Sequence, residues 1–192
     1  MRKNTELENL KKIDSKKKKK IVDKSWIVKI IIITFVVSLG MSFLAESTVP
    51  NFNLVVAIII SLIFIFLGVV FDIIGVAVTA ASEKVFHSMN SRRVKGAGLA
   101  VKFKTNSDKV SSFCCDVIGD ICGVISGTTA VTVAIFLSDI TGMDRFLLTL
   151  IVTAVIASLT IGGKAIGKSF AIKNSDVILY EFAKFISNFY KA

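Results

Sequence analysis

Four long apolar stretches limit what this chain can fold into more than any other feature. "WIVKIIIITFVVSLGMSFLA" runs from Trp26 to Ala45 with Lys29 as its only charge. "LVVAIIISLIFIFLGVVFDIIGVAVTAAS" runs from Leu54 to Ser82, interrupted only by Asp72. "ICGVISGTTAVTVAIFLS" covers Ile121 to Ser138 and extends back through Phe113, and "FLLTLIVTAVIASLTIGG" covers Phe146 to Gly163. Crossing a hydrocarbon core of about 30 Å takes roughly 20 apolar residues in a helix. Open strand edges cannot be satisfied in lipid, and the alternation of a barrel strand is absent. The expectation is an all-α integral membrane protein with four transmembrane helices, one over 25–46 and three over about 54–81, 113–138 and 146–163.

Charge then orients the chain. Hydrophobic residues make up 53% of the 192, yet the net charge is +10, a combination that suits a membrane protein with a basic inner face. An even number of spans puts both termini on one side, and the basic tail makes that side cytoplasmic. The outer loops are then "ESTVPNFN" and "DITGMDR", and Arg145 is the only one of the 24 Lys and Arg they hold. A multi-pass protein of the cell (inner) membrane with both termini cytoplasmic is expected. The basic excess is thereby assigned to the membrane face, and no nucleic-acid partner is expected.

The tail over 1–24, with "KKIDSKKKKK", is expected to be disordered and to attract anionic lipid. The first span lacks a convincing cleavage site after "GMSFLAES" and is expected to be retained. Residues 83–112 interleave Val85, Phe86, Met89, Val94, Leu99, Val101 and Phe103 with basic residues. Short amphipathic helices are expected there, lying against the inner leaflet or the bundle, with Ser107 as a cap for the helix entering the third span. Over 174–191, Ile178, Phe182, Phe185, Ile186 and Phe189 form a stripe at helical spacing, suited to the interface or to a dimer contact.

"GGKAIGKS", Gly162 to Ser169, matches the phosphate-loop pattern letter for letter. Such a loop needs a buried strand before it, further strands and helices after it, and an acidic residue for magnesium. Too few residues follow Ser169, and the preceding apolar run has the length of a span, so no nucleotide is expected. Cys114, Cys115 and Cys122 form no disulfide framework, and neither they nor His87 build a zinc site. With no nucleophile–base pair and no cofactor fingerprint, neither an enzyme nor a resident cofactor is expected. Asp72 requires a polar partner inside the bundle. Ser126, Thr128, Thr129, Thr132, Thr153 and Thr160 are the candidates, or the same residue of a second copy. Gly119, Gly123 and Gly127, spaced by four, are expected to let helices approach closely.

Three segments, read together, resemble the membrane domain of the cyclin-M/CorC (CorB-like) magnesium/cobalt transporter family. "AASE" at Ala80–Glu83 stands where the family has "SxSE", "IGD" at Ile118–Asp120 where it has "IGN", and "GKAIGKS" at Gly163–Ser169 where it has "GE-I-x-P-K-S". "NSDKV" at Asn106–Val110 is similar to a further family stretch. The resemblance covers residues 54–192, with no CBS domain in it, and leaves the first span as an addition. It implies a homodimer whose spans are broken or kinked near these motifs, and divalent-cation (Mg or Co) transport or homeostasis. Carried over by motif, the candidate cation site is Ser82, Glu83, Gly119 and Asp120, with Mg2+ as the transported or bound ion.

The departures are informative. The family's Asn is Asp120 here, its Glu is Lys164 and its Pro is Gly167. Two changes of opposite charge suggest an Asp120–Lys164 ion pair in the place of the bound cation. That yields a second expectation, a non-transporting membrane scaffold, and a third is an adaptor whose basic middle loop binds lipid or protein.

Overall fold

The computed structural model describes residues 24–48 and 53–189, and among these it contains helices and turns but no strand. The basic tail before Lys24, residues 49–52 and 190–192, and the side chains of Lys24, Leu44, Glu46, Thr48 and Phe189 lie outside the described residues. The chain divides into two units between Val37 and Ser38. Helix α1 (Lys24–Thr48) crosses that division and is apolar round its circumference, so it has no polar face to offer water. Among the described residues, four stretches are long and apolar enough to cross a membrane: Ser25–Phe43, Leu54–Ala80, Ser107–Thr141 and Arg145–Lys173.

Beyond α1 come α2 (Leu54–Ala80), α3 (Glu83–Ser91), α4 (Ala97–Thr105) and α5 (Ser107–Ser112). A π-helical turn (Phe113–Gly119) leads into α6 (Asp120–Thr141), followed by α7 (Arg145–Lys173) and α8 (Ser175–Phe189). Helices α2, α6 and α7 pack against one another as a bundle. The inward stripe of α2 is Ala57, Ser61, Ile65, Gly68, Asp72 and Gly75, at steps of three or four residues. Its glycines set the helix separation. A methyl group added at Gly68 would lie 3.2 Å from Cys122 Cβ, and one at Gly75 would run into Cys115 Sγ. In lipid the tails are as apolar as the side chains, so this close van der Waals approach is what holds such helices together.

Two glycine expectations are corrected. Only Gly119 of the Gly119–Gly123–Gly127 series is packed; Gly123 and Gly127 have nothing within 4 Å of an added methyl. Helix α6 turns Cys122, Ile125, Ser126 and Thr129 inward, which rotates those two glycines aside. Nor do Gly162, Gly163 and Gly167 break the fourth span at residue 163. Helix α7 continues without interruption to Lys173. Gly163 and Gly167 instead let α7 settle on Val69 and Ile73 of α2; an added methyl would lie 3.0 Å from Val69 Cγ2 and 2.8 Å from Ile73 Cγ1. The outer face of α7 stays apolar and uncovered, with Ile161 at 68% and Ile166 at 75% exposure.

The second packed region is a helical cap around the C-terminal end of α2. Phe86, Val78, Ala81, Ala100, Leu179 and Ala183 are buried together, with Met89, Leu99 and Phe103 partly buried around them. Both ends of the break at Ala81–Ser82 are satisfied by charges from elsewhere. Lys104 Nζ donates to Thr79 O at 2.7 Å and Val78 O at 3.3 Å, closing the carbonyl end of α2. Asp176 Oδ1 accepts from Ser82 N at 2.7 Å, at the amide end of α3. A cation at a helix C-terminus and an anion at an N-terminus both complement the backbone dipole.

One expectation for the cap is also corrected. The residue flanking α5 is Asn106, whose Nδ2 donates back to Lys102 O at 3.0 Å, and Ser107 is the first residue inside the helix. On α8 the residues buried in the cap are Leu179 and Ala183, beside the aromatic stripe, of which Phe185 is 62% exposed. The reason is steric. α8 must pass Gly96, at φ 85°, where an added methyl would lie 3.0 Å from Lys184 Cα. So close an approach favours small Ala183 over a ring on the facing side.

Candidate functional site

Asp72 sits on the inward stripe of α2, eight residues before the helix ends at Ala80, and its side chain is 6% exposed. An unpaired charge is costly at such a place, and the structure pairs it twice. Lys164 Nζ lies 3.9 Å from Asp72 Oδ1, and Lys168 Nζ lies 3.8 Å from Asp72 Oδ2. The two lysines are four residues apart, so one face of α7 carries both to the same carboxylate. Oδ2 nevertheless has no hydrogen-bond partner.

Lys164 has a second carboxylate on its other side. Its Nζ stands 3.5 Å from Asp120 Oδ1, at the point where the π-helical turn gives way to α6. The side chains of Asp120, Lys164 and Asp72 are 71%, 20% and 6% exposed, so the three charges step from the protein surface into the bundle. Gly119 makes room for this arrangement. A methyl group there would lie 3.6 Å from Lys164 Nζ and 3.7 Å from Asp72 Oδ1, and a longer side chain would occupy the space between them. The helix widens at Phe113–Gly119, and such π segments recur where a helix is adapted to a site.

The residues expected at a cation site therefore divide into two places. Gly119 and Asp120 come together with Lys164 and with Asp72. Ser82 and Glu83 lie past the end of α2, roughly 12 Å of helix beyond Asp72 at 1.5 Å per residue. Both are exposed: Ser82 gives its backbone N–H to Asp176, and Glu83 pairs with His87 at 3.4 Å. No group of three or more His, Cys, Asp or Glu able to hold a metal occurs among the described residues.

Five of the six hydroxyl partners expected for Asp72 are also corrected. Ser126, Thr128, Thr129, Thr153 and Thr160 each donate to a carbonyl three or four residues back in their own helix. A hydroxyl in a long apolar helix meets that carbonyl without any help from a neighbour, which removes it as a donor to Asp72. The ammonium groups of α7 take that place. Lys168 was legible only as half of the "KS" pair. Its spacing of four from Lys164, together with the single Asp in the apolar run of α2, was the available signal.

Comparison with protein-family models, with curated proteins and with solved structures finds no match to this chain.

Proposed function

We propose that this chain is a multi-pass inner-membrane protein of divalent-cation transport or homeostasis, with its charged cluster as the cation-handling centre. The observation that carries this reading is the convergence of two carboxylates, Asp72 and Asp120, from two different helices on one cationic point within 4 Å. Carboxylate oxygens are the ligands that hard divalent cations take, and Gly119, with no side chain of its own, leaves the Lys164 ammonium and Asp72 Oδ1 as the side-chain groups beside it. The resemblance in "AASE", "IGD" and "GKAIGKS" supports the same class. It also supports a homodimer and cytoplasmic termini, for which the uncovered apolar face of α7 and the skewed Lys/Arg distribution are the supporting observations.

Purified protein reconstituted in vesicles is expected to pass magnesium, cobalt or manganese, and Asp120→Ala is expected to abolish the flux. Ser82→Ala, at the other half of the motif-derived site, tests whether the end of α2 belongs to the pathway. Wild-type vesicles that pass none of the three ions would overturn the transport reading. A second reading then takes over, favoured by the balance of two lysines against two aspartates. In it the cluster is a charge-neutral bolt in a non-transporting scaffold, and Lys164→Ala loosens the bundle without any flux to lose.

A further inference from the structure

Lys164 is within 4 Å of two carboxylates carried by two different helices, one exposed and one buried. Its ammonium therefore occupies the position a small cation would take if one entered past Asp120. Two details single this position out from an ordinary ion pair. The first is Asp72 Oδ2, which belongs to a side chain more than nine-tenths buried and has no hydrogen-bond partner. The second is separation: Lys164 makes one long hydrogen bond, to Asp120 at 3.5 Å, and the two lysine contacts to Asp72, at 3.8 and 3.9 Å, are longer than the contacts of a tight charge-assisted pair. A lysine is held on four rotatable carbons and can withdraw along them, whereas the helices that carry the aspartates cannot.

We infer that Lys164 is a tethered competitor for the cation site: a divalent ion binds between Asp72 and Asp120 only by displacing the Lys164 ammonium. This rests on the cation-handling reading and names how that site is regulated. Displacement has a consistent geometry. Lys168 Nζ lies 3.8 Å from the other oxygen of Asp72, so a second ammonium remains near the carboxylate when Lys164 moves. The exposure gradient gives the order of events, with the ion meeting exposed Asp120 first and buried Asp72 last. Occupied by its own lysine, the site binds weakly at low ion concentration and fills only as the concentration rises.

The direct test uses wild-type protein in nanodiscs. Amine-acetylation footprinting by mass spectrometry, with and without excess magnesium, reads the reactivity of each lysine. Lys164 labelling is expected to rise several-fold when magnesium is present, with Lys168 changing less. Unchanged Lys164 labelling at saturating magnesium would overturn the inference. Magnesium titration of Lys164→Met then measures the competition, since removing a like charge about 4 Å from the ion is expected to tighten binding at least about tenfold. Asp72→Asn on the Lys164→Met background should cancel that gain. Equal affinity of wild type and Lys164→Met also overturns it, and the labelling experiment stands by itself where the variant fails to fold. Failure of the two proposals is distinguishable. Flux with unchanged labelling leaves transport standing by another route, whereas displacement without flux leaves a regulated binding site in a protein that does not transport.

Discussion

The bundle and the cap bury comparable things for different reasons. In the cap, Phe86, Leu179 and Val78 are covered as they would be in any water-soluble core, and charges lie at helix ends where backbone groups need them. In the bundle the buried stripe of α2 is made of Ala57, Ser61, Ile65, Gly68, Asp72 and Gly75, small or polar apart from Ile65, while large side chains such as Leu62, Ile63 and Phe66 point outward. Phe66 is 68% exposed and Phe86 is completely buried. The contrast follows from the surroundings. Where water lies outside, burying a ring is the stabilising step; where lipid lies outside, it gains little, and small residues that bring backbones together are what matter. A buried charge would also have a different standing in the two regions if the bundle spans a membrane, since lipid would offer Asp72 no solvent to fall back on.

The largest expected effect tests the cap. Phe86→Ala should destabilise it by about 4 kcal/mol, because a fully buried ring is removed from a cluster assembled out of α2, α3, α4 and α8. Hydrogen exchange should show α3 and α8 losing protection while α6 and α7 keep theirs. Equal loss in all of them would mean that cap and bundle unfold as one unit.

Next comes the charge cluster. Asp72→Ala leaves Lys164 and Lys168 facing each other without their shared counter-ion and should cost about 3 kcal/mol in denaturant-induced unfolding in mild detergent. Adding Lys164→Ala should recover part of that loss, since the pair is then removed together. A double variant no more stable than the single one would show that Lys168 alone, or packing, sets the cost.

The smallest effect separates glycines that work from glycines that do not. Gly96→Ala should lower stability by about 1–2 kcal/mol, through its left-handed backbone and the nearness of Lys184. Gly123→Ala, with open space around it, should be neutral or slightly stabilising by helix propensity. Thermal unfolding of the two variants side by side checks this, and a costly Gly123→Ala would point to a contact with something outside this single chain.

Much of the architecture was legible in the residues because lipid reads composition directly. Runs near Trp26, Leu54, Ile121 and Phe146 announced four long helices through length and apolarity alone, and the mixture over 83–112 announced short amphipathic ones. The Asp120–Lys164 juxtaposition was legible too, since an acidic and a basic departure at two motif positions made each a reason for the other. Asp72 was visible as a residue that needed a partner, but not which partner. The threonines of α6 and α7 looked equally suitable until their own carbonyls claimed them.

What the sequence determined by itself was the solvent each segment demands: apolar length for the long helices, interleaved charge for the cap, and one aspartate that cannot stand alone in hydrocarbon. Only the tertiary structure decided the rotations. Turning α6 by a fraction of a turn retires Gly123 and Gly127, carrying α7 past Gly163 without a break brings Lys168 beside Lys164, and offsetting α8 hides Ala183 while leaving Phe185 outside. The physical reason is that hydropathy constrains a helix along its axis, while its rotation about that axis depends on which neighbour's side chains it must fit between. In a helix apolar on every side, no face is marked in advance.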